Sequence, residues 1–85
     1  MSKTVRPKKN QRVLVEWVDI TSQAHGNFAD AGLERFTTIG FWQGYKTTPE
    51  YGRFLVIADS IDGKGEAYGV TSIPVGCVKS IRKLR

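Results

Sequence analysis

The 85 residues hold one cysteine, Cys77, and one histidine, His25. A lone cysteine excludes an internal disulfide and any cysteine-rich metal site, so stability has to come from packing, with help from self-association. His25 and Cys77 stand fifty-two residues apart without ligand spacing, and Asp19 with Asp30 lacks the alternation of a calcium loop. We therefore expect no metal and no cofactor. No Gly-x-x-x-x-Gly-Lys precedes a helix, which removes the usual phosphate loop. The longest apolar run, Phe54-Leu55-Val56-Ile57-Ala58, is far too short to span a bilayer, and the lysines of Met1 to Gln11 are followed by no apolar stretch resembling a signal. The expectation is a cytoplasmic protein with no membrane partner.

Acid is missing from both ends. Residues 1–12 carry Lys3, Arg6, Lys8, Lys9 and Arg12, and residues 79–85 carry Lys79, Arg82, Lys83 and Arg85, with no Asp or Glu in either stretch. Residues 13–78 hold the other four bases against all eight acids, a net −4 inside a chain of net +5. Two basic ends invite an anionic partner, while a solubilising tail and a solvated last strand would show the same composition.

What is present is β-forming sequence. Val13 to Asp19 alternates, with Val13, Val15 and Trp17 on one face and Leu14, Glu16 and Val18 on the other. Residues 20–34 lose that alternation and read as a long loop with a short helical turn near Phe28 to Leu33; a loop of this length in a small domain is usually functional. Arg35 to Trp42 is a second strand in which Gly40 marks a bulge or a close backbone approach. Residues 43–50, QGYKTTPE, read as a loop. Tyr51 to Asp59 is a third strand, apolar on both faces and hence central. Ile61 to Gly65 contains Asp-Gly, a hairpin signal, and leads into a fourth strand from Glu66 to Ile73. Pro74-Val75-Gly76 breaks the chain before a last strand, Cys77 to Leu84.

These lengths predict an all-β domain over residues 13–85, preceded by a basic flexible tail at 1–12. The expected architecture is a small, five-stranded, strongly bent barrel of the Src-homology type with a long first loop. An oligonucleotide-binding barrel fits less well, because it places a helix where this chain has five turn residues. In the preferred barrel the first and last strands are neighbours, which merges the two basic ends. A chain of this size buries only a little over ~60% of its unfolded surface, so a homo-oligomer is expected.

The segments VLVEWVDITS (13–22), TTIGFW (37–42), FLVIADS (54–60) and IPVGCVKSIRKL (73–84) resemble a widespread family of small tailed-phage proteins, mostly of unassigned function, with a V-x-W-x-D, T-x-x-G and I-P-x-G-C-[IV] pattern. The resemblance covers about two-thirds of the chain. It implies a phage accessory protein in the cytoplasm of an infected bacterium, acting by binding host machinery, nucleic acid or a host defence signal.

Chemistry-bearing residues divide into three groups. Asp19, Ser22, His25 and Asp30 supply an acid, a hydroxyl and a base in one loop. Turn chemistry alone accounts for them, and no catalytic role is expected. Trp17, Phe36, Phe41 and Phe54 lie among apolar neighbours and read as core, as does Cys77. Phe28, Trp42, Tyr45, Tyr51 and Tyr68 lie in or beside loops, where rings can stack on a base while nearby cations meet phosphate. The favoured reading is a non-enzymatic protein that sequesters a small anionic nucleotide through Phe28, Arg35, Trp42, Tyr45 and Arg53. The alternative is a nucleic-acid or host-complex binder using Lys8, Lys9, Arg12, Lys79, Arg82 and Arg85, and a structural virion component is a third.

Overall fold

A computed structural model describes residues 6–20 and 33–84. Within them the chain forms five strands: β1 (Arg12–Ile20), β2 (Leu33–Thr48), β3 (Gly52–Ile61), β4 (Ala67–Pro74) and β5 (Val78–Lys83). A 3-10 turn, Val75–Cys77, joins β4 to β5 at the predicted Pro-Val-Gly break. All pairings are antiparallel and the sheet order is β4-β3-β2-β1-β5. The fold is thus all-β, as expected. Its two edge strands, β4 and β5, share no ladder, so the sheet itself is not closed. No described helix is long and apolar enough to cross a membrane.

Period-two alternation builds the core on one face. Val13 and Val15 of β1, Leu55 and Ile57 of β3 and Ile73 of β4 are almost completely buried, and Trp42 joins them from β2. Trp17, Cys77, Val78 and Ile81 pack against this cluster while remaining partly exposed. Each fully buried aliphatic side chain stabilises the fold by roughly 1.5–3 kcal/mol, so a core of this size leaves little margin.

Several expectations need correcting. Residues 43–48 are strand, because β2 runs to Thr48 and pairs with β3 as far as Thr48 opposite Gly52. The register slips between Trp42 and Gly44, where Gly44 has φ +108°, a conformation that favours glycine. Gly40, by contrast, is the close backbone approach, one of the two roles expected of it: a β-carbon there would sit 2.6 Å from the Ala58 carbonyl oxygen and nearer still to Ile57 Cγ2. The basic tail is tied down before its expected end. Asn10 N–H donates to the Trp42 carbonyl (2.7 Å), Trp42 N–H donates to the Gln11 carbonyl (2.8 Å), and β1 begins at Arg12. Phe36 is not core, with 40% of its surface exposed, and Trp17, Phe41, Phe54 and Cys77 are only half-buried. A single sheet has too little inner face to cover them all.

The Asp-Gly turn forms as expected. Asp62 Oδ1 accepts from the Lys64 and Glu66 N–H groups at 2.8 and 2.9 Å, and Tyr68 Oη donates to Oδ2 at 3.1 Å. Donation from the Glu66 and Lys64 backbone holds the carboxyl below its ordinary value of 3.8. A depressed carboxylate adds stability that is present above its unfolded value and disappears as pH falls through its folded value. Thermal melts from pH 6 to pH 2.5 should show the wild type losing stability more steeply below about pH 4 than Asp62→Asn, whose amide cannot titrate there.

Candidate functional site

The sheet register sorts the candidate ligand residues into separate places. Trp42 lies in the core, 6% exposed, its ring edge-on to Tyr45 at 5.3 Å between centroids. It holds β2 in place and offers no free face to a ligand, which corrects its assignment as a binding residue. Tyr45 and Arg53 do meet: the strands place Tyr45 opposite Leu55, and the Arg53 guanidinium sits 4.1 Å from the centre of the Tyr45 ring. Tyr45 also borders a shallow apolar cleft of about 180 Å³ with Leu55, Val75, Val78 and Ile81. Phe28, His25, Ser22 and Asp30 lie outside the described residues, as does Arg85.

Arg35 stands elsewhere. It is ten residues before Tyr45 on the same strand, which at ~3.3 Å per residue is about 33 Å of extended chain before any bend. It lines a larger open cleft, of about 320 Å³, with Glu16, Trp17 and Val18 of β1, Phe36 and Thr37 of β2, and Lys79 of β5. The four expected residues that are described, Arg35, Trp42, Tyr45 and Arg53, therefore do not converge on one pocket.

This larger cleft is built by two local features. In the first, Trp17 opposes Phe36 across β1 and β2, and the rings stack with centroids 4.8 Å apart and planes 24° off parallel. The Trp17 indole N–H donates to Thr38 Oγ1 at 3.0 Å, which fixes the indole, while Phe36 keeps much of its surface open. In the second, the β1–β5 register jumps from Glu16 opposite Ser80 to Trp17 opposite Val78. Lys79 is the extra residue of this bulge, and bulges re-aim a side chain relative to its strand. Ser80 Oγ donates to Glu16 Oε1 at 2.7 Å, anchoring the carboxylate that also borders the cleft. Two cations, one tethered carboxylate and a stacked aromatic pair with an exposed ring thus share one opening of a size near the ~300 Å³ lower end of ligand pockets.

The expected basic ends also come together. β5 pairs with β1, with Arg82 opposite Leu14 and Lys83 opposite Val13, and the Leu84 N–H donates to the Arg12 carbonyl at 2.8 Å. Lys8, Lys9, Arg12 and Arg82 are all exposed. Sequence reasoning missed Phe36 as a site residue because its apolar neighbours suggested core. It also had no means to join Lys79 with Arg35, since they meet only through the β1–β5 bulge.

No protein-family model, curated protein or solved structure matches the chain. Because Trp42 is a packing residue, Trp42→Ala should cost about 3–5 kcal/mol of stability in urea unfolding, the loss typical of a truncated core aromatic. An exposed ligand-stacking tryptophan would instead leave the midpoint nearly unchanged.

Proposed function

We propose that this domain is a non-enzymatic phage accessory protein that binds a phosphate-bearing nucleotide in the Trp17–Phe36 cleft and sequesters a signal of host defence. The observation that carries this reading is that Arg35 and Lys79 border the same cleft as the exposed ring of Phe36. An aromatic face takes a base of any identity, and cations beside it take phosphate. Glu16, held by Ser80, offers an acceptor for a sugar hydroxyl or a base amino group. The phage setting is supported by the segments resembling small tailed-phage proteins. We further propose that the domain is a bent barrel of the Src-homology type; the order β4-β3-β2-β1-β5 and the 3-10 turn before the last strand support it.

Calorimetry with mononucleotides and cyclic dinucleotides tests the cleft. Phe36→Ala should weaken binding about 5- to 150-fold, the equivalent of ~1–3 kcal/mol of stacking. Lys79→Gln and Arg35→Gln should weaken it too, while Tyr45→Ala leaves it near the wild-type value. Full affinity in all three cleft variants would remove the site.

The joined basic ends favour a second reading, a nucleic-acid or host-complex binder. Lys8, Lys9, Arg12 and Arg82 present positive charge where β1 meets β5, and Lys79 links this region to the cleft. On this reading, replacing Lys8, Lys9 and Arg82 by Gln should reduce the slope of log K against log salt for duplex DNA by about 2.7, at ~0.9 per lost phosphate contact. A slope unchanged by the triple replacement would exclude those contacts.

A further inference from the structure

The two edges of the sheet differ in kind. β5 carries Lys79, Arg82 and Lys83, the charges with which edge strands ordinarily repel a second copy. β4, AYGVTSIP, carries no charge at all and, among the described residues, pairs with β3 alone. Alternate residues of an antiparallel edge strand direct their N–H and C=O groups away from the sheet, so β4 has a row of backbone groups with no described strand opposite. Only Gly69, at φ +68°, and Pro74 interrupt it, which leaves Val70 to Ile73 as the continuous stretch.

An apolar stripe on the outer face of the sheet leads to this edge. Leu14 opposes Ile39, Phe41 follows two residues along β2 and opposes Ala58, and Ala58 opposes Val70. Ile39 and Val70 are 54% and 56% exposed, Leu14 and Phe41 are half-buried, and Ala58 between Phe41 and Val70 is completely buried. The net charges beyond the two ends of β4 have opposite sign. Asp62 and Glu66, with Lys64 between them, precede Ala67 and leave that end net negative, whereas Arg53 and Lys46 flank Phe54, the residue opposite Pro74.

We propose that β4 pairs antiparallel with β4 of a second copy of this chain, about a two-fold axis near Val70 and Thr71. That operation sets the acidic end of each strand beside the basic end of the other and joins the two apolar stripes across a ten-stranded sheet. It opposes no like charges within the strand, as β5 against β5 would. The pairing leaves Arg35, Phe36 and Lys79 on β2 and β5, so it is independent of ligand binding in the cleft.

Analytical ultracentrifugation of the full chain from micromolar to millimolar concentration should show 9.5 kDa monomers giving way to dimers of about twice that mass. Val70→Lys puts a lysine close to its own counterpart at the axis and should raise the dimer dissociation constant at least about tenfold. Ser72→Lys, also at an exposed position, serves as a second variant, and an unchanged NMR amide dispersion establishes that each variant is folded. On dilution of the wild type, amide shifts should change along residues 67–74. A monomer at every concentration overturns the proposal and leaves the edge to an extended strand of another protein. Dimers that persist in both lysine variants, or dilution shifts confined to β5, also overturn it.

Discussion

β1 holds the domain together by pairing on both sides, with β2 along its whole length and with β5 from Val13 to Trp17. Its inward residues, Val13 and Val15, are completely buried. Without this strand the β2–β3–β4 meander would expose Leu55, Ile57 and Ile73, and β5 would have no ladder to join. A small core tolerates no such loss, because net stability is a narrow difference between burial and chain entropy. The Asn10 and Gln11 bonds to Trp42 extend the same role one step earlier, fastening the chain to β2 before β1 begins.

Most of the fold was legible because β1, β3 and the Asp-Gly turn follow local rules. Val13 to Asp19 alternates, Phe54 to Ala58 is apolar on both faces, and Asp62 organises its own hairpin through hydrogen bonds to backbone groups nearby in sequence. The second half of β2 was not legible. QGYKTTPE has the glycine, proline and polar residues of a loop, yet pairing with β3 overrides that preference. The slip at Trp42 and Gly44 also changes the alternation, so the burial of Trp42 follows from tertiary register and not from local pattern.

The cleft illustrates the same limit on a functional scale. Arg35 was visible as a cation beside aromatics, and Lys79 as part of a basic end, so the sequence assigned them to rival readings. They come together because the β1–β5 bulge gives Lys79 no partner opposite while Trp17 and Phe36 face each other across the neighbouring ladder. A bulge of one residue leaves no compositional mark, and neither does the difference between an aromatic ring that is covered and one that stays open.

The bond from the Leu84 N–H to the Arg12 carbonyl brings the start of β1 into contact with the residue after β5. In folding, the β3–β4 hairpin has a short loop to close, whereas the β1–β5 ladder must close a loop of almost the entire chain. Such distant pairings slow the search, since closure entropy is spent before any contact repays it. For the same reason Leu84 and Arg12 are near enough for a short peptide to join them. The chain could then be opened at the exposed Gly63–Lys64 turn, turning the most distant ladder of the native order into a local hairpin.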